Sequence, residues 1–281
     1  MAAAVSGGAA IFVRNGRAIC YSPAMQWIDS GILLSLRKHG ENSVIIHAFT
    51  RDHGRAAGLI RGGVGRRMRG ILQPGNELRL TWRARTAEQL GAFAAEAEIS
   101  RAGLLFDAPE ALSAASSALA LLDIALPEQE VHRPLYEATR LLLDALAEDP
   151  DVWPLLVARW ELGLLQEIGY GLDLSQCAAS GATTDLAYVS PKSGRAVSRT
   201  AGAPYHDRLL PLPSFLMATR ADTEAAEVTG AEILGGLALT GYFLGKFMAE
   251  HHPKAHLAAR GRMMAVLSRK YAATEATSGT D

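Results

Sequence analysis

Between residues 25 and 99 the apolar positions come in short runs broken by turn chemistry, and within the runs they tend to alternate with polar ones. Residues 27–36 and 43–49 read as two strands joined by the turn at 38–42, and residues 55–60 read as a short third strand. Pro74, Gly75 and Asn76 introduce a fourth at 77–85, where Leu78, Leu80 and Trp82 alternate with Glu77, Arg79, Thr81 and Arg83. Residues 93–99 supply a fifth. Five strands in so short a stretch, with a glycine-rich bend after the second, predict a small antiparallel barrel, and an OB-fold is the common barrel of that size.

After Asp107 the period lengthens to three and four. Asp107 and Glu110 have capping-box spacing, and Leu112, Leu119, Leu122 and Leu126 follow as an apolar face. A second helix is predicted from Pro134 to about Ala147. A third begins after Asp151 and ends at Gly169, where a glycine cap is expected. Residues 171–213 break into turns. A long helix over 223–250, closed by Pro253, and a short amphipathic one over 256–271 complete the pattern. The segmentation is therefore 1–24 as a flexible extension (or the product of an early start codon), 25–104 as the barrel, 105–272 as a helical domain interrupted by 171–213, and 273–281 as a polar tail. The fold class is α+β. Residues 233–245 are uncharged and apolar but fall short of the roughly 20 residues that cross a bilayer, so they read as a buried helix. The first 24 residues lack the form of a signal peptide.

Charge changes this picture. The whole chain carries a formal net charge of −1. Residues 25–90 contain 11 Lys and Arg against 5 Asp and Glu, whereas residues 91–281 contain 15 against 24. Nine arginines lie between Arg51 and Arg85. Such a sign split points to an anionic partner engaged by the barrel alone, and arginine with glycine suits phosphate. Arg51, Arg55, Arg61, Arg66, Arg67, Arg69, Arg79 and Arg83 are the expected contacts, with Arg37 and Lys38 at the margin. Arg79, Arg83 and Arg85 should face outward together. Aromatic residues are few: Trp27, Phe49, Trp82 and Phe93, with Trp82 expected in the core. Binding should then be sequence-independent and salt-sensitive rather than built on base stacking.

Catalytic signatures are missing. No nucleophile elbow, zinc-protease motif or phosphate loop occurs. Residues 241–247 resemble a phosphate loop only superficially and sit in an apolar helix. His251, His252 and His256 read as imidazoles at a helix C-terminus. Cys20 and Cys177 form no pairing pattern, which suits a reducing cytoplasm. A metal-dependent nuclease would need clustered carboxylates where these are scattered. An OB barrel by itself leaves RNA open as a ligand.

The stretch Met25-Gln26-Trp27-Ile28-Asp29-Ser30-Gly31-Ile32 resembles the opening of the RecO family of bacterial recombination mediators. So do Arg37-Lys38-His39-Gly40-Glu41, His53-Gly54-Arg55 and Leu72-Gln73-Pro74-Gly75. The likeness continues through Glu161-Leu162-Gly163-Leu164-Leu165, Gly169-Tyr170-Gly171-Leu172-Asp173 and residues 205–213, so it spans nearly everything from Met25 to the last helix. The resemblance implies a non-enzymatic protein of the cytoplasm, associated with the nucleoid, that binds single- and double-stranded DNA. It further implies annealing of complementary strands, and work with RecR and single-strand binding protein to load the recombinase RecA. The family's insertion is zinc-finger-like, with two Cys-x-x-Cys pairs. Here Cys177 matches the first position, but Ser180, Ser198 and Ala201 stand at the other three, so no zinc and no other cofactor is expected. The acidic, apolar-tipped tail of single-strand binding protein would need an apolar groove with positive flanks. Arg133, Arg140 and Arg159 on the helical domain are the candidates for it.

Overall fold

The computed structural model describes residues 10–14, 17–21, 25–86, 89–105, 108–149, 152–217, 228–255 and 257–278. Two compact units emerge. One holds the described residues up to Ser100 together with Glu128–Val131; the other holds Arg101–Pro127 and the described residues from His132 on.

In the first unit, β1 (Ala10–Arg14) and β2 (Arg17–Tyr21) pair as an antiparallel hairpin, a sheet of their own. A flexible extension is the expectation for this segment; alternation over five residues is too short to mark a strand, and pairing supplies the rest. The barrel follows: β3 (Met25–His39), β4 (Ser43–Thr50), β5 (Gly54–Arg61), α1 (Arg66–Ile71), β6 (Glu77–Ala84) and β7 (Gly91–Ile99). Its strands close in the order β3-β4-β5-β7-β6, with β3 pairing both β4 and β6 and a parallel contact between β5 and β7. That is the OB topology. Alternation is realised most plainly in β6, where Leu78, Leu80 and Trp82 are buried and Arg79 and Arg83 exposed. With Leu33, Val44, Ile46, Ala48 and Phe93 they fill the interior.

Between the third and fourth barrel strands lies the helix α1, where the sequence pattern predicts no helix. A signal existed, since Val64, Met68 and Ile71 stand at i, i+4 and i+7, and all three pack against the barrel core. Six residues with three arginines and a glycine mask that pattern.

The second unit contains α2 (Pro109–Ala125), α3 (Arg133–Glu148), α4 (Trp153–Glu167), α6 (Gly230–His251) and α7 (Ala258–Ser278), with α5 (Arg199–Gly202) in the insertion. The N-cap of α2 is Ala108, without a side-chain cap, while Asp107 lies outside the described residues. The helix α4 ends as the sequence requires. Gly169 has φ +80°, Tyr170 N–H donates to Leu165 C=O, and Gly169 N–H donates to Gln166 C=O, a Schellman motif. The capping box proper lies at α6, where Thr229 and Glu232 cap one another; the expected start at Thr223 falls outside the described residues. The last helix runs on to Ser278, past the expected boundary at Tyr271, because Ala272, Ala273, Glu275 and Ala276 favour helix. The insertion is more regular than turns alone: β8 (Leu186–Val189), β9 (Ala196–Ser198) and β10 (Leu210–Pro211) form a small antiparallel sheet.

Helix α4 packs against α3 and α6, and α2 against α7. Glu161 on α4, Thr240 on α6 and Arg260 on α7 meet in the interior. Arg260 Nε lies 2.8 Å from Glu161 Oε1 and its Nη2 2.9 Å from Glu161 Oε2, while Thr240 Oγ1 donates to the same carboxylate. Among the described residues no helix is long and apolar enough to cross a membrane.

Candidate nucleic-acid interface

Strand direction decides which arginines share a surface. β3, β5 and β7 run one way around the barrel, and β4 and β6 run the other. Everything between the end of β5 and the start of β6 therefore gathers with the end of β3. Arg61, Arg66, Arg67 and Arg69 thus share one end with Arg37 and Lys38, and all six side chains are exposed. Helix α1 turns Met68 and Ile71 inward, leaving Arg66, Arg67 and Arg69 toward solvent. Arg69 Nε donates to Val64 C=O at 2.9 Å, which fixes the approach to the helix. Acidic company at this end is sparse: Glu41 in the turn, Glu77 buried, and Glu98, whose carboxylate accepts from Ser30 Oγ at 2.7 Å.

Arg51, Arg83 and Arg85 belong to the opposite end, where β4 and β6 finish and β3 begins. Arg85 lies past the end of β6, so only Arg79 and Arg83 alternate outward on that strand. Arg79, Arg83 and Arg85 are nonetheless all exposed. Arg79 has Glu96 as its cross-strand partner on β7, which offsets its charge locally. Arg55 is half-buried, with Nη2 3.5 Å from Glu128 Oε1. A guanidinium so enclosed and paired is a poor phosphate contact. No local pattern hints at this pairing, since Glu128 is remote along the chain. Of the four aromatic residues in the barrel strands, Phe49, Trp82 and Phe93 are buried and Trp27 partly so.

In the helical unit, an open apolar groove of about 400 Å³ lies between α3 and α4, with Leu141, Leu142, Leu156 and Trp160 among its walls. Arg159 lines it. Its Nε and Nη2 donate to Phe215 C=O at 3.0 and 2.6 Å, and burial lowers its pKa from the ordinary value without discharging it. Pro134, beside the exposed Arg133 at the start of α3, also lines the groove. Arg140 is half-buried and pairs with Glu137 at 3.0 Å. The helices thus bring Arg159 to the groove itself and Arg133 next to it.

Folding also gathers the positions of the family's zinc ligands. Cys177 is buried, and its sulfur accepts from Ser198 N–H at 3.2 Å. Hydrogen bonds from Ser180 and then Ser198 lower the Cys177 pKa from 9.0 to about 6. Ser198 Oγ meanwhile accepts from Ala201 N–H at the start of α5. One thiol, two hydroxyls and an alanine do not make a tetrahedral zinc set. Among the described residues no three His, Cys, Asp or Glu side chains converge as a metal would require. His251 and His252 close α6, with Tyr170 Oη 3.1 Å from His251 Nε2; His256 lies outside the described residues.

Comparison with known proteins covers both units. The family description "Recombination protein O N terminal" matches residues 25–101, and "Recombination protein O C terminal" matches residues 107–255. Several relatives carry the name DNA repair protein RecO. That of Ruegeria sp. (strain TM1040) is 47% identical over 247 residues, which is 88% of this chain and 100% of the relative. That of Rhodospirillum centenum is 50% identical over 226 residues, covering 80% and 87%. That of Methylocella silvestris is 52% identical over 220 residues, covering 78% and 87%.

Proposed function

The chain belongs to the RecO family, and from that premise we propose that it serves DNA repair as a non-enzymatic mediator of recombination. In this reading it anneals complementary strands and, with RecR, helps load RecA onto DNA coated by single-strand binding protein. The supporting observation is the cluster at the α1 end of the barrel: Arg37, Lys38, Arg61, Arg66, Arg67 and Arg69 exposed together with little acidic company. Cations on a short helix neutralise phosphates without reading bases, so binding is independent of sequence. Annealing follows from the same physics. Neutralising two strands at once lowers their repulsion and leaves the base edges free to pair. No bond is made or broken by the protein.

The groove between α3 and α4 suits the tail of single-strand binding protein, with apolar walls for its tip and Arg159 for its acids. The Cys177 insertion, in the same reading, is held by its own hydrogen bonds and takes no zinc.

Salt dependence tests the interface. If about five phosphates are neutralised, the log–log slope of affinity for single strands should be about −3.5. Replacing Arg66, Arg67 and Arg69 together by Ala should make it shallower by about 2, whereas Arg79→Ala should leave it nearly unchanged. A folded triple variant with the parent slope would remove α1 from the interface. On strands coated with single-strand binding protein, Leu141→Asp should abolish annealing while leaving it intact on bare strands. Equal loss on both would refute the groove assignment.

A further inference from the structure

The end of the barrel opposite α1 holds an open cleft of about 520 Å³, built entirely within the first unit. Its aromatic wall is a stack. The Trp27 ring lies 4.3 Å from His53 at 10° and 5.5 Å from Trp82 at 13°, with Phe93 edge-on at 5.8 Å. Trp82 is buried, whereas Trp27 is partly open and the His53 side chain is 36% exposed, so the stack ends at solvent. His53 is held in place. Buried Asp29 accepts from His53 Nδ1 at 2.8 Å and from Asp52 N–H at 2.8 Å through one oxygen, and from Ser30 N–H at 2.9 Å through the other.

The facing wall comes from residues 128–131. Gln129 N–H donates to Arg55 C=O at 2.9 Å, and Glu128 bridges to Arg55 alongside β5. Gln129 has φ +62°, a left-handed conformation unusual for a residue other than glycine. Such strain tends to collect at ligand sites. Met25, Leu90 and Val131 form a rim and leave large apolar area in solvent.

We propose that this cleft takes an unpaired nucleobase from single-stranded DNA, seated against the His53–Trp27 stack. The inference rests on the DNA-binding reading above and adds a second contact to it. Three observations favour a base over another apolar guest. The rings are stacked nearly parallel and fixed, the geometry a flat heterocycle extends. Asp52 and Gln129 place polar groups at the cleft, where exocyclic amines and ring nitrogens can meet them. Arg51, Arg83 and Arg85 sit at this same barrel end, where a backbone entering with the base would need cations. A strand gripped by phosphate at α1 and by one base here would present the intervening bases for pairing.

Full-length protein titrated with a twenty-residue oligothymidylate and with an abasic phosphodiester strand of equal length separates the two contacts. The base-bearing strand should bind about tenfold tighter, the order expected of one stacked base, and should quench tryptophan emission where the abasic strand does not. His53→Ala, at a partly exposed position, should erase most of that ratio and leave abasic binding unchanged. Trp27→Leu, checked for an unchanged far-UV spectrum, should do the same. Equal binding of the two strands by the parent protein overturns the cleft while sparing the phosphate contact. Binding of neither strand overturns both. A variant that keeps the base preference but loses capture of RecR would give the cleft to a protein side chain and end the proposal.

Discussion

Gly54 shows how one residue can set a surface. Its φ is +68°, and a Cβ built on it would lie 2.1 Å from the carbonyl oxygen of Glu130. Only glycine allows residues 128–131 to lie against β5, so the neighbouring arginine gains an ion-pair partner and the aromatic cleft gains a wall. Cys177 is the other residue whose setting changes its chemistry. With its pKa at about 6 against 9.0 ordinarily, the folded protein binds fewer protons than the unfolded chain between those values. Its contribution to stability is therefore fully present above about 9 and is lost as pH falls through about 6. Thiolate absorbance at 240 nm should show a step with a midpoint of about 6 in the native protein, and that step should be missing in Cys177→Ser, which keeps only the Cys20 thiol. A midpoint above 8 would show that the serine hydrogen bonds do not hold the anion.

At the scale of elements, helices α4, α6 and α7 are joined by a polar contact as well as by apolar packing. Glu161 is fully buried and Arg260 nearly so, and each depends on the other and on Thr240. Removing one member strands a buried charge. Glu161→Ala should cost about 3–5 kcal/mol in denaturant unfolding, well above what its volume alone would lose. Replacing Glu161 and Arg260 together by Leu and Met should recover most of that loss, and failure to recover would mean the helices are positioned by apolar contacts alone. Legibility also varied by element. Gly169 announces the end of α4 because a left-handed cap is a local property. The α2 cap is expected at Asp107, outside the described residues, and the N-cap of the helix is Ala108, one residue on. Thr229 and Glu232 carry the real capping box. Caps are written in four residues, and several such stretches compete along any chain.

For the whole molecule, the β1–β2 hairpin pairs with no other described strand. Deleting residues 1–24 should therefore leave the melting temperature and the salt slope of DNA binding unchanged; a fall of several degrees would mean that the segment docks. The strands of the barrel, the change to helical period beyond it and the concentration of positive charge were all present in the order of residues. They depend on near neighbours: alternation places Leu78, Leu80 and Trp82 on one face whatever the rest of the chain does. How the positive charge is used could not be read that way. A run of arginines from Arg51 to Arg85 looks continuous along the sequence, but antiparallel strands return it to opposite ends of the barrel, splitting Arg66, Arg67 and Arg69 from Arg51, Arg83 and Arg85. Arg55 meets Glu128, Arg79 meets Glu96, and Trp27, His53 and Trp82 stack, all through closure of the barrel and the return of residues 128–131. The sequence by itself determined which elements form and that one part of the chain is basic, because both are sums over local positions. The tertiary structure alone decided which charges act together and where a cleft opens, because those depend on pairs far apart along the chain.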